Sequence, residues 1–141
     1  HKFDYALKKQ IINDKKCYVV DNGFIEIISK KLTKDKGWLL ENLVFNVLNK
    51  SREIFYYADK VECDFLVVKD RTVERAVQVC FDLNEGNKER EIEGLREAME
   101  KFNVKNGLIL TNNQEDEIKL NKNIIKVMPV WKWLLMDKEI S

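Results

Sequence analysis

Five polar side chains alternate along two neighbouring β-prone runs. Glu62 and Asp64 lie in Val61-Glu62-Cys63-Asp64-Phe65-Leu66, and Gln78, Cys80 and Asp82 lie in Val77-Gln78-Val79-Cys80-Phe81-Asp82. Successive side chains of a strand point to opposite faces. Glu62 and Asp64 therefore share one face, with Val61, Cys63 and Phe65 on the other. Gln78, Cys80 and Asp82 likewise oppose Val77, Val79 and Phe81. If the two runs pair as a hairpin, each turns one apolar face to a core and one face on which polar groups converge. Glu41, on the preceding helix, joins them if that helix packs over the same face. Carboxylate and amide oxygens are hard donors of the kind Mg²⁺ takes. The competing reading makes Glu62 and Asp64 a solvated strand face, and Gln78 and Cys80 ordinary tenants of a half-covered sheet.

The elements that must position these residues follow from periodicity. Trp38, Leu39, Leu43, Val44, Val47 and Leu48 recur at helical spacing up to about Lys50, with Glu41 inside the helix. Glu53 to Ala58, Val61 to Val68 and Glu74 to Leu83 are rich in Val, Phe, Tyr and Cys and are separated by short polar turns, as in a strand meander. After the polar loop Asn84 to Lys88, the residues Ile92, Leu95, Ala98, Met99 and Phe102 form the apolar stripe of a charged helix, which Gly94 weakens locally. Gly107 to Thr111 and Ile124 to Met128 read as buried strands, with the acidic, polar segment Asn112 to Asn123 between them. Pro129 stops the last strand before a short helix, Val130 to Met136, whose Trp131 and Trp133 suit packing or a partner better than base stacking. Upstream, Cys17 to Asn22 reads as a strand ended by Asn22-Gly23, and Phe24 to Leu32 as a helix; Thr33 to Gly37 is a polar turn.

A chain of 141 residues is one domain, with 1–32 as an N-terminal extension and 37–136 as the core. Lys and Arg total 25 against 24 Asp and Glu, so the net charge gives no global argument for nucleic acid or an anionic membrane. The lysines at 8, 9, 15 and 16 and at 30, 31, 34 and 36 read as solvated faces. Cys17, Cys63 and Cys80 are odd in number, widely spaced and set in apolar runs, which suits thiols of a reducing compartment. There is no C-x-x-C pair for zinc and His1 is the sole histidine. No apolar stretch has the length of a membrane span and no secretory signal core opens the chain, so the expected location is cytoplasmic. None of the five glycines sits in a nucleotide-binding G-x-x-x-x-G-K-[ST] loop.

Three stretches in order, Gly37-Trp38-Leu39-Leu40-Glu41-Asn42-Leu43-Val44-Phe45, Glu62-Cys63-Asp64-Phe65-Leu66-Val67 and Val77-Gln78-Val79-Cys80, resemble the C-terminal domain that follows the ATP-binding module in a family of bacterial and archaeal AAA-type ATPases. That domain belongs to the PD-(D/E)XK nuclease-like superfamily, and residues 17–23 resemble the segment preceding its core. The resemblance implies an α/β fold with a restriction-endonuclease-like αβββαβ core, a central mixed sheet flanked by helices, and an upstream ATPase module in the full-length chain. It implies Glu41 as the helix acid, Asp64 as the central metal ligand, Gln78 at the second acid position and Cys80 at the lysine position, around Mg²⁺ or Mn²⁺. Glu62 and Asp82 are secondary candidates. Glu41, Asp64 and the Gln78 amide oxygen supply three ligands, but a thiol supplies none of the lysine's positive charge. Lys69, Lys88 or Arg90 would have to reach the site in its stead.

Two functions follow from the resemblance. One is a catalytically silent nuclease-like domain used for DNA or protein binding, the reading favoured by the missing lysine and the balanced charge. The other is an active Mg²⁺-dependent deoxyribonuclease. A third class is a self-associating or partner-docking module with exposed apolar residues around Tyr56, Tyr57 and Trp131.

Overall fold

The computed structural model describes residues 1–21, 23 and 36–137. The expected helix from Phe24 to Leu32 lies outside the described residues. Along the described chain run α1 (Leu7–Ile12), α2 (Lys36–Leu48), β1 (Glu53–Ala58), β2 (Glu62–Lys69), β3 (Thr72–Val79), α3 (Lys88–Phe102), β4 (Asn106–Thr111), β5 (Asp116–Leu120), β6 (Asn123–Pro129) and α4 (Val130–Asp137). The strands form one six-stranded mixed sheet in the order β1-β2-β3-β4-β6-β5. β1, β2 and β3 are an antiparallel meander, and α3 returns the chain so that β4 lies parallel to β3. β6 is parallel to β4, and β5 pairs antiparallel along its outer edge. The architecture is α/β, a mixed sheet flanked by helices.

Helical spacing decides which residues each helix buries. Leu40, Val44 and Leu48 of α2 stand one turn apart and pack with Phe65, Val67, Val77 and Val79 on one face of the sheet, where Trp133 of α4 joins them. Leu95, Ala98 and Met99 of α3 pack with Cys63, Leu66, Ala76 and Ile109 on the other. With both faces covered, β2 is buried continuously from Cys63 to Val68, as sheets sandwiched between helices are. Among the described residues no helix is long and apolar enough to cross a membrane.

Gly94 lies where α3 crosses the start of β2. A Cβ there would stand 2.2 Å from the carbonyl oxygen of Glu62. The helix runs unbroken through this position, so the glycine permits a close approach and is not a break.

Several expectations need correction. Strict alternation places Cys63 and Phe65 on one face, yet they fall in opposite cores. The cause is a β-bulge: between the Phe55–Leu66 and Tyr57–Cys63 pairs, Asp64 and Phe65 together oppose Tyr56. β3 ends at Val79 and not at Leu83, so Cys80 and Asp82 stand beyond the strand. Cys17 to Asp21 is not a strand. It is a strap with no strand partner among the described residues, and the side chain of buried Asn42 replaces a ladder by accepting from the Val19 N–H at 2.8 Å and donating to the Val19 carbonyl at 2.9 Å. β5 forms in a segment expected to have no element, because Ile118 and Leu120 pack against the α3-side core. Short α1 was likewise not expected; it buries no residue. Tyr56 and Tyr57 are buried, so they offer no docking surface; Trp131 is exposed and Trp133 is core.

Candidate active site

A cleft of about 680 Å³ opens at the ends of β2 and β3, between the start of α2 and the start of α3. Glu41, Glu62, Asp64, Gln78, Cys80 and Asp82 all line it, so every candidate read from the sequence reaches the same cleft. They come from different sides. α2 packs on the Val77 and Val79 face, whereas the Gln78 amide reaches α3.

Asp64 sits in the bulge, and only 6% of it is exposed. Its Oδ2 accepts the Val79 backbone N–H at 2.9 Å, and its Oδ1 accepts the Lys16 ammonium at 3.0 Å. Burial, and then the charge of Glu41, push its carboxyl up from 3.8 to about 7 against the pull of Lys16 and the Val79 N–H. Glu41 Oε1 accepts both the Tyr18 hydroxyl at 2.6 Å and the Lys16 ammonium at 3.0 Å. Glu62 Oε1 lies 2.6 Å from the same nitrogen. One ammonium therefore bridges carboxylates from α2 and from two positions of β2. Burial works against that charge, but Asp64, Glu62 and Glu41 outweigh it and hold the Lys16 pKa above the ordinary lysine range. Burial and the Glu41 carboxylate also push the Tyr18 hydroxyl up, so it remains a proton donor.

Gln78 is committed to a buried relay. Its Oε1 accepts the Asp64 backbone N–H at 3.1 Å and its Nε2 donates to Glu91 Oε2 at 2.7 Å. Arg90 then pairs with Glu91 Oε1 at 2.6 Å. The relay fixes the backbone at Asp64 to the first turn of α3. Burial and then Glu91 raise the Cys80 thiol, which receives the Asn87 amide at 3.4 Å, so a thiolate nucleophile is disfavoured here. Of the cations considered as substitutes for the missing lysine, Arg90 lines the cleft, Lys88 faces Asp116, and Lys69 lines a separate depression.

Lys16, Tyr18 and Glu91 escaped the sequence reading. Lys16 stands in a run of lysines that reads as a solvated face. The available signal was its spacing from Tyr18: two residues apart on an extended strap, both side chains reach Glu41 Oε1. Glu91 sits in the first turn of a charged helix, where an acid is favoured by the helix dipole alone and so attracts no notice.

The strap that delivers Lys16 is anchored on both sides. Upstream, the Tyr56 hydroxyl donates to the Asp14 carbonyl at 2.8 Å. Downstream, Tyr18 stacks on Phe45 with ring centroids 4.1 Å apart, and Asn42 and Asn46 hold Val19. Among the described residues the cleft carries five acidic side chains, Glu41, Glu62, Asp64, Asp82 and Glu91, against Arg90 and the incoming Lys16.

No protein-family model matches the chain and no solved structure matches it. It is similar to the uncharacterized protein MJ1544 of Methanocaldococcus jannaschii, 35% identical over 144 residues, a match that covers 94% of this chain and 32% of that protein. The chain thus spans about a third of the length of this curated relative.

Proposed function

We propose that this chain is a nuclease-like domain of the PD-(D/E)XK type, a module of an AAA-type ATPase, whose cleft serves recognition and not hydrolysis. The observation that carries the reading is Lys16: a single ammonium lies within 3.0 Å of Glu41, Glu62 and Asp64 and takes the place a catalytic cation would need. The succession α2-β1-β2-β3-α3-β4 agrees with the αβββαβ core of that superfamily. The match to one third of a longer archaeal protein suits a module of a larger chain. The unpaired thiols of Cys17, Cys63 and Cys80 suit a cytoplasmic setting.

Each residue has a role in this reading. Lys16 neutralises the acids that would hold a metal. Gln78 and Glu91 lock the backbone that presents Asp64. Cys80 contributes packing and no positive charge. Mg²⁺ or Mn²⁺, when bound, would polarise a phosphate and lower the pKa of water, and Asp64 Oδ1 and Glu41 are the oxygens that would hold it. With five acids against two bases among the described residues, that part of the cleft repels phosphate unless such a cation is present, which favours a basic protein segment over DNA as the partner.

A second reading is an active metal-dependent deoxyribonuclease, in which Lys16 would act as the catalytic ammonium that Cys80 lacks instead of occupying the cation's place. Incubation with plasmid DNA across Mg²⁺ and Mn²⁺ concentrations, with Asp64→Ala as control, separates the two. The expected result is no metal-dependent cleavage. Cleavage that disappears in Asp64→Ala would overturn the recognition reading and establish the nuclease.

A further inference from the structure

We infer that Lys16 is a tethered counter-ion that competes with a divalent cation for the Glu41, Glu62 and Asp64 carboxylates, so that this chain's own side chain sets the metal affinity of the cleft. The inference deepens the proposed function, resting on its reading of the acids as a cation site.

The residues fit such a cation by chemistry. Three carboxylates from two elements converge on one positively charged nitrogen, and all are hard oxygen donors. The ammonium stands in for the ion. Its distances of 2.6 to 3.0 Å are those of hydrogen bonds and exceed the roughly 2.0–2.1 Å of Mg²⁺ ligands. With the ammonium between them, the three carboxylates are not poised as a metal site, and among the described residues no other such group is found.

Competition follows from the way each oxygen is used. Asp64 Oδ2 is turned away onto the Val79 N–H, so Asp64 has one oxygen for the cleft, and Lys16 holds it. Glu41 Oε1 is shared between Tyr18 and Lys16. A metal ligated by Asp64 Oδ1 would share that oxygen with a like charge a few ångströms away, in a site where solvent screens poorly. The ammonium is further held over the Tyr56 ring, 5.7 Å from its centroid. The strap is pinned at Asp14 and at Tyr18 to Val19, so Lys16 yields by swinging its side chain while the backbone stays anchored.

The test is calorimetric titration of Mn²⁺, without nucleic acid, into the intact chain and its Lys16→Met and Lys16→Arg variants. Lys16→Met should bind Mn²⁺ at least tenfold more tightly than the parent. Lys16→Arg, which keeps the charge, should stay near the parent value, and adding Asp64→Asn to Lys16→Met should abolish the gain. If Lys16→Met folds poorly because three acids lose their counter-ion, the same comparison is read as the rise in Tm on adding Mn²⁺, which should be larger for Lys16→Met than for the parent. Equal or weaker binding in Lys16→Met, an equal rise in Tm, or no binding in either protein overturns the inference. DNA cleavage by the parent would overturn the recognition reading alone, because Mn²⁺ affinity is measured here with no substrate present.

Discussion

The backbone N–H of Val79 donates to Asp64 Oδ2 at 2.9 Å, which ties the end of β3 to the bulge in β2 and leaves Asp64 a single oxygen facing the cleft. That bond and the Lys16 pair meet at one buried carboxyl, while the Gln78 relay holds the backbone N–H of the same residue. The central acid is thus held by the backbone first and by charge second, and its environment rather than its residue type decides when it ionises.

Asp64 supplies the first prediction. Its carboxyl rises from 3.8 to about 7 in the folded chain, chiefly through burial and then through Glu41, so the folded state keeps a proton that the unfolded state gives up. For a group raised in this way, stability is greatest below the unfolded value, falls as pH rises towards 7 and is flat above that. Asp64→Asn carries no charge at any pH. Its Tm relative to the parent should therefore be most favourable at pH 8, and the advantage should shrink steadily on titration to pH 4. A difference in Tm that does not change with pH would refute the raised value.

Gly94→Ala runs against helix propensity. In an exposed helix interior, alanine gains roughly 1 kcal/mol over glycine. Here the new methyl would meet the Glu62 carbonyl oxygen at 2.2 Å and Val61 Cγ1 at 3.2 Å. α3 must shift away from β2, so the substitution should lower stability by about 1–3 kcal/mol, the usual cost of overpacking. Urea unfolding measures it. A stabilised Gly94→Ala would mean that α3 stands further from β2 than described.

What the sequence discloses here depends on whether a residue's role is local. Val44 and Leu48, and Leu95, Ala98 and Met99, announce their helices because the core facing them lies along one stripe, whereas Leu40 is buried in place of the expected Leu39 and Leu43. Glu62 and Asp64 announce a polar edge by alternation. The bulge at Asp64 and Phe65 stays hidden, since it is defined only against the register of β1. Lys16 is hidden for a similar reason: its partners Glu41 and Asp64 are 25 and 48 residues away, and a lysine beside a lysine looks solvated. Asn42 conceals the strap because a side-chain amide does there what a neighbouring strand does elsewhere.

The β2–β3 hairpin offers a gain in stability. Lys69 pairs with Thr72 across a two-residue turn whose residues Asp70 and Arg71 both have positive φ, 49° and 64°. This left-handed pair is the turn that favours Asp-Gly or Asn-Gly. A side chain there costs roughly 1–2 kcal/mol, part of which glycine gives back through its greater freedom when unfolded. Arg71→Gly should therefore raise stability by about 0.5–1 kcal/mol, read as a higher urea midpoint at unchanged slope. A fall would mean that the arginine makes a compensating contact.

The strap itself can be tested through Asn42, which is fully buried and holds Val19 through both its oxygen and its nitrogen. At least two hydrogen bonds of about 1 kcal/mol each are at stake, and Asn42→Ala leaves the Val19 N–H without its side-chain acceptor while Asn46 still donates to the Val19 carbonyl, so the loss should be about 2–3 kcal/mol. The consequence for the cleft is more telling than the loss of stability. Lys15 and Lys16 lie in the strap, and trypsin cleaves after lysine. In the parent chain the Tyr18 stack and the Asn42 clamp restrain this segment, so cleavage there should be slow compared with the exposed Lys8 and Lys9. In Asn42→Ala a fragment beginning at Cys17 should appear early, under conditions in which the sheet stays folded by circular dichroism. Unchanged protection of Lys16 in that variant would show that its three carboxylates, and not the clamp, hold the strap in place.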